Sequence, residues 1–238
     1  MSHPERIVPD ETEPGIVALH LKRYEFALPY CRGASVLDAG CGVGYGTAHL
    51  AQVAERVVGV DVSDDAVSYA RAHYAGPNVE FLVADVLELP FADDSFGVVC
   101  SFEIVEHVAD AERFVAELAR VLKPGGRLVL STPRADDPSV RPDNPFHERE
   151  FDADELRALL SLSFSSVELF GQRRIETARH RTLRRLDVLG LRRRLPVVRR
   201  VSGTLTGTAA MADVALDGIA IERDATADAT ELIAVCRA

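Results

Sequence analysis

The chain has 238 residues, 47% of them apolar, with 27 Lys and Arg against 37 Asp and Glu and a formal net charge of −10. That length and apolar content predict one globular domain with a substantial core and exclude a disordered chain. The acidic balance argues against a general nucleic-acid binder, no apolar run approaches the ~20 residues of a membrane span, and Cys31, Cys41, Cys100 and Cys236 lack the spacing of a zinc site or disulfide framework.

Met1 to Asp10 is polar and holds no apolar signal core, so a cytoplasmic location is expected. Pro14 to about Tyr30 reads as a helix with Ile16, Leu19, Leu21, Phe26 and Leu28 as apolar positions, and with His20, Arg23 and Tyr24 at i, i+3 and i+4. The apolar run from Ser35 to Leu37 ends in Asp38. Gly40, Gly42, Gly44 and Gly46 follow, and then a helical pattern through Ala48, Leu50, Ala51 and Val53. This is a strand, a tight glycine turn and a helix start, whose free N–H groups suit a carboxylate or phosphate. A G-x-G-x-x-G dinucleotide fingerprint fails, because its last glycine would fall at Tyr45 or Thr47.

The Asp-x-Gly-x-Gly-x-Gly pattern resembles motif I of the class I S-adenosylmethionine (SAM) dependent methyltransferases. The resemblance implies that Asp38, Gly40, Cys41, Gly42 and Tyr45 surround the methionine part of SAM, and that Tyr24 reaches it from a covering helix. An acid there suits the cationic end of that cofactor.

Arg56 to Asp61 is a near-continuous apolar run ending in an acid, the pattern of a buried parallel strand. Asp61 lies about twenty residues past the glycines, where a carboxylate accepts hydrogen bonds from ribose hydroxyls, and the resemblance adds Val62 beside it. Ser63 is a helix N-cap, with Asp64 and Asp65 in the first turn. Gly76-Pro77-Asn78 breaks the chain before a third strand, Val79 to Val83. The resemblance then puts Asp85 at the adenine amino group and Val86 at the ring. A fourth strand, Phe96 to Ser101, leads into Phe102-Glu103-Ile104-Val105-Glu106-His107. In an open parallel sheet this segment lies beyond the strand's carboxyl end, where ligands bind, and Phe102 joins the cofactor set. Asp110 caps a helix from Ala111 to Leu122, Lys123-Pro124-Gly125-Gly126 stops it, and Arg127 to Thr132 is a fifth strand.

Pro133 to Arg149 is a loop with four prolines, ending in Asn144-Pro145-Phe146-His147-Glu148-Arg149-Glu150-Phe151. Sequences with Asn-Pro-Phe-His before Asp-x-x-Glu resemble small-molecule and sugar methyltransferases. Asp152 and Glu155 start a helix to Leu160, and Phe164 to Gly171 reads as a sixth strand. Arg173 to Arg200 carries eleven arginines against Glu176 and Asp187. It fits an amphipathic helix pair, a lid for an anionic acceptor, or a membrane-surface segment. Ser202 to Ala212 is a small, polar connection, and Glu231 to Cys236 is a last, antiparallel strand beside strands five and six.

The alternation of strands and helices predicts an α/β fold. The resemblance, which covers about Leu21 to Leu160, makes it a Rossmann-like, seven-stranded, mostly parallel sheet with helices on both faces and strand order 3-2-1-4-5-7-6. Residues 1–238 form one methyltransferase domain: a helical cover over 1–34, a SAM-binding core over 35–172, an Arg-rich insertion or lid over 173–212 and the last strand over 213–238.

The function implied is SAM-dependent methyl transfer to a small molecule, with O-methylation of a sugar or secondary metabolite expected. Positioning supplies much of the rate for an already activated methyl group, and a base is needed only where a hydroxyl gives up its proton. His107 and His147 are the candidates, and His147 is preferred because its loop can reach the acceptor. Glu103, Glu106 and His107 resemble a divalent-ion segment of some quinone-biosynthesis methyltransferases, but no metal is assigned. N- or C-methylation, metal-assisted O-methylation of a catechol-like acceptor and a non-catalytic SAM-binding role are the alternatives. A small-molecule acceptor is the expected partner, with room for a homodimer and without nucleic acid or stable membrane insertion.

Overall fold

The computed structural model describes residues 6–175 and 216–238. The stretch expected to form the Arg-rich insertion lies, beyond Ile175, outside the described residues. Its elements are α1 (Pro14–Cys31), β1 (Ser35–Ala39), α2 (Tyr45–Leu50), β2 (Arg56–Asp61), α3 (Asp64–Tyr74), β3 (Val79–Val83), β4 (Phe96–Phe102), α4 (Ala111–Val121), β5 (Leu122–Pro133), α5 (Ala153–Leu160), β6 (Ser166–Arg174), β7 (Ile219–Arg223) and β8 (Glu231–Arg237).

Local chemistry sets these boundaries. Pro14 opens α1, where its missing N–H costs nothing. Ser63 Oγ accepts from Ala66 N at 3.3 Å to start α3, and Asp110 Oδ1 accepts from Arg113 N at 2.9 Å to start α4. Asp152 Oδ1 takes the N–H groups of Asp154 and Glu155 at the head of α5. These side chains satisfy donors that a helix start leaves bare.

The sheet order is β3-β2-β1-β4-β5-β8-β6-β7. Strands β3 to β5 are mutually parallel, while β8 runs antiparallel between β5 and β6. This corrects the expected seven strands to eight. The order from β3 through β6 is the one expected, and β7 adds an antiparallel edge on β6. That strand hides in the sequence because Ile219 to Arg223 is short and directly follows a polar turn at Asp217-Gly218. Strand β5 is also longer than expected. Leu122 pairs with Phe96 before a register shift, so the Lys-Pro-Gly-Gly turn lies within the strand's span.

Strands β1, β2 and β4 are buried on both faces, as their apolar runs require. One face packs against Phe114, Val115, Leu118, Leu156 and Leu160 of α4 and α5. The other packs against Ala27, Cys31 and Leu50 of α1 and α2. Each fully buried side chain of Phe or Leu size contributes about 1.5–3 kcal/mol. Strand order reverses between β1 and β4, so the carboxyl ends of these two strands open a crevice. Among the described residues no helix is long and apolar enough to cross a membrane.

Candidate functional site

The glycine turn after β1 forms one wall of the crevice. Gly42 has φ +54°, and a Cβ there would meet nothing within 4 Å. Backbone conformation, not crowding, requires glycine there, and the position faces open space. Its N–H donates to Asp61 Oδ2 at 2.9 Å, while Asp61 Oδ1 accepts from Ser63 N at 2.9 Å. Gly46 meets the opposite constraint: a Cβ would overlap the Tyr24 ring. The start of α2 and the middle of α1 therefore touch, which sets the Tyr24 ring against Gly46.

Asp38 sits beneath this turn and is 1% exposed. Its Oδ2 accepts from Thr47 Oγ1 at 2.6 Å and from the Tyr24 hydroxyl at 3.4 Å, while Oδ1 is buried with no partner. Burial outweighs the bonds from Thr47 and Tyr24 and pushes the carboxyl up to about 7. A buried acceptor without a donor is costly, and a cationic ligand group would relieve it. With the open face at Gly42, this fits the methionine end of SAM.

On the covering helix, the Tyr24 ring stands edge-on to Phe102 at 4.8 Å and to Tyr45 at 5.9 Å between centroids. Its neighbour Arg23 lies outside the expected cofactor set. It is 1% exposed, with Nε donating to Gln172 Oε1 at 3.0 Å, Nη1 3.4 Å from Glu103 and Nη2 3.5 Å from Glu231. Burial works against its charge, but the Glu103 and Glu231 carboxylates more than restore it. The i, i+3, i+4 stripe marks the helix face, yet nothing local ties Arg23 to residues 149 and 208 positions away.

The adenosine side is more open. Val62 is 74% exposed at the end of β2, next to Val83 of β3, which is paired with Asp61. Asp85 is exposed and accepts from Leu87 N at 2.8 Å, and Val86 is half-buried. Asp61, Val62, Asp85 and Val86 thus follow two adjacent strand ends.

Beyond β4 the expected trio Glu103, Glu106 and His107 divides. Glu103 has φ +58°, an uncommon conformation for a side chain of its type, and turns its carboxylate to Ser131 Oγ at 2.8 Å and to Arg23. Glu106 is fully buried. Its Oε2 accepts from Thr132 Oγ1 at 3.0 Å, and Oε1 has no partner. Burial, then the charge of Glu103, pushes its carboxyl well above the usual range, which favours the protonated form. Its backbone carbonyl accepts from the N–H groups of Glu148 and Arg149, at 2.8 and 3.3 Å, and so docks the long loop against the end of β4.

That docking brings the two candidate histidines together. Their ring centroids are 4.9 Å apart and the rings are nearly perpendicular. His107 Nδ1 lies 2.9 Å from the Phe146 carbonyl and can only donate to it. His147 Nδ1 lies 2.7 Å from Glu150 Oε1, and Nε2 lies 2.8 Å from Asn144 Nδ2. Glu106, His107 and His147 carry metal-ligand types of atom within 4.8 Å of one another. However, both His147 nitrogens and His107 Nδ1 already face protein groups, and Glu103 points elsewhere. Next to His147 the loop borders an open pocket of about 450 Å³, lined also by Pro138, Val140, Arg141, Pro145 and Arg149.

An open, mainly parallel sheet with a glycine turn and two strand-end acids at its switch point defines a Rossmann-type fold for a nucleoside cofactor. Residues 37–130 match the family model of the methyltransferase domain. A protein of Mycobacterium tuberculosis named "Probable S-adenosylmethionine-dependent methyltransferase" is 44% identical over 172 residues, which are 70% of this chain and 62% of that protein. The ubiquinone biosynthesis O-methyltransferase of Sinorhizobium fredii is 36% identical over 103 residues, 42% of each chain. A crystal structure of a SAM-dependent methyltransferase from Thermotoga maritima shares the fold with a TM-score of 0.65 at 15% identity, over 96% of this chain and 95% of that one. Residues 37–130 therefore carry a methyltransferase domain, on a fold that the chain shares with SAM-dependent methyltransferases. It spans 62% of the length of the mycobacterial relative.

Proposed function

We propose that this protein is a SAM-dependent methyltransferase that methylates a hydroxyl of a small molecule, a sugar or a secondary metabolite, with His147 as the general base. The observation that carries this reading is the position of His147. Its side chain is 9% exposed, it opens onto the loop cavity, and it is docked through Glu106 against the end of β4. Bound SAM would supply a methyl group on a sulfonium, so the protein's part is positioning, water exclusion and proton removal. Asp38, Gly40 and Gly42 would hold the methionine end under Tyr24, while Asp61 would take the ribose hydroxyls and Val62 and Asp85 would flank the base. The helix α1 and the loop from Pro133 to Phe151 would close the crevice from two sides. The 36% identity to a named O-methyltransferase supports oxygen as the acceptor atom.

The test is incubation of the protein with deuterated-methyl SAM and the small-molecule extract of its source cells, read by mass spectrometry. One labelled compound carrying the methyl on oxygen is expected. His147→Ala should slow labelling by about 10²-fold or more while SAM affinity stays near normal. Label on nitrogen or carbon, or an unchanged rate for the variant, would overturn the assignment.

A further inference from the structure

His147 is flanked within its own loop by two residues that no family feature assigns. Asn144 presents its amide with a fixed orientation, because Oδ1 accepts from Phe146 N at 3.1 Å. That leaves Nδ2, a donor only, facing His147 Nε2 at 2.8 Å. On the other side of the ring, Glu150 Oε1 faces Nδ1 at 2.7 Å. Carboxylate oxygens accept, so Nδ1 must carry the proton. A donor on one nitrogen and an acceptor on the other leave one neutral form of the ring. The side chains of His147 and Glu150 are 9% and 25% exposed, which limits competition from water.

We propose that Glu150 and Asn144 hold His147 as its Nδ1–H tautomer, which makes Nε2 the proton-accepting atom and Glu150 a positioning residue for methyl transfer. The proposal rests on the reading of His147 as the base. An acceptor hydroxyl competes with Asn144 for the Nε2 lone pair. As the acceptor oxygen forms its bond to the methyl carbon and the methyl–sulfur bond breaks, the hydroxyl proton moves to Nε2. The sulfonium becomes a neutral thioether, and the positive charge ends on the imidazolium, which later releases its proton to water. Glu150 lies against Nδ1–H throughout and offsets that charge. Other charged groups near the ring, among the described residues, include Glu103, the Glu106 carboxyl, His107 and Arg149. Of these, Arg149 is drawn to Glu155 at 2.7 Å and Glu103 to Arg23. Glu150 is a carboxylate in hydrogen-bonding contact with the ring.

Two measurements test the proposal on the full chain. The first is a long-range 1H–15N spectrum of histidine-labelled protein under alkaline conditions, with His147 assigned by its disappearance in His147→Ala. The Nδ1–H tautomer is expected in the wild type, and Glu150→Ala should shift population toward Nε2–H. The second is the rate of deuterated-methyl uptake by the cell extract. Glu150→Ala should lower it by roughly 10- to 10³-fold, as expected when a base loses the carboxylate that orients it, while SAM affinity stays within about twofold. If the alanine variant loses SAM binding, Glu150→Gln serves instead. It keeps an acceptor oxygen but not the charge, so the tautomer should persist and the rate should still fall.

An unchanged rate in His147→Ala would remove the base reading and this proposal together. A slow His147→Ala with wild-type rate and wild-type tautomer in Glu150→Ala would overturn the proposal alone. Should the extract accept no label, the spectra decide: an Nε2–H ring in the wild type refutes it.

Discussion

At the scale of single residues, the end of the crevice beneath the glycine turn holds two buried charges with opposite needs. Asp38 is short of donors, and its carboxyl is pushed up to about 7 by burial. A group whose folded pKa is raised stabilises fully below its unfolded value, about 3.9, and loses that stabilisation as pH rises through the folded value. On this account the ligand-free protein should lose melting temperature between about pH 4 and pH 7, and Asp38→Asn should flatten that slope. SAM brings positive charge to the same carboxylate, so its affinity should rise over the same window and level off above it. Calorimetric titrations of wild type and Asp38→Asn with SAM check this, and equal pH slopes would remove Asp38 from the site. Arg23 is the reverse case, a buried cation held by Glu103 and Glu231. Arg23→Met leaves those two carboxylates near each other without their cation. Removing one partner of a buried ion pair costs about 3–5 kcal/mol, so urea unfolding should show a loss of that order. A loss under about 1 kcal/mol would mean that the pair behaves as an exposed one.

At the scale of elements, the sequence was most legible where one local signal sufficed. The apolar runs of β1, β2 and β4 declare two-sided burial, and Ser63, Asp110 and Asp152 each cap the helix they precede. The cap at α5 also bears on the proposed base, because this helix follows the loop that carries His147. Asp152 satisfies two backbone donors, and Asp152→Ala should cost about 1–2 kcal/mol in thermal unfolding. A smaller effect would mean that water replaces the carboxylate at little cost. The glycine turn and Asp61 were likewise readable, because backbone φ and a strand-end acid leave marks in a few adjacent residues. Four features were not. Strand β7 is too short to stand out from a turn. The Arg23 cluster is built by residues from α1, the segment after β4, β6 and β8. The split of Glu103 from Glu106 and His107 depends on a left-handed backbone at Glu103, which no spacing rule announces. The pairing of His107 with His147 needed the loop's docking on the Glu106 carbonyl, a contact made by backbone and therefore silent in side-chain patterns.

At the scale of the whole molecule, the last strand ties the two halves of the sheet together and also reaches the site. Strand β8 pairs with β5 from Arg127 to Pro133 on one side and with β6 from Ser166 to Gln172 on the other. Leu232, Ile233, Ala234, Val235 and Cys236 are all buried. The same strand supplies Glu231 to Arg23, so the covering helix is anchored by the far end of the chain. A chain ending at Thr230 would leave two long strand edges unpaired, and such edges recruit other chains. It should therefore aggregate or lose cooperative unfolding, and it should not bind SAM, even though the glycine turn and both strand-end acids remain. A milder variant separates the strand's two roles. Glu231→Gln keeps every backbone pair and the buried face while weakening the hold on Arg23. It should fold with a cooperative transition and a reduced melting temperature, the effect being larger than that of an exposed substitution. If Glu231→Gln melts like the wild type, the ion pair is energetically idle and β8 acts through its backbone and apolar face alone.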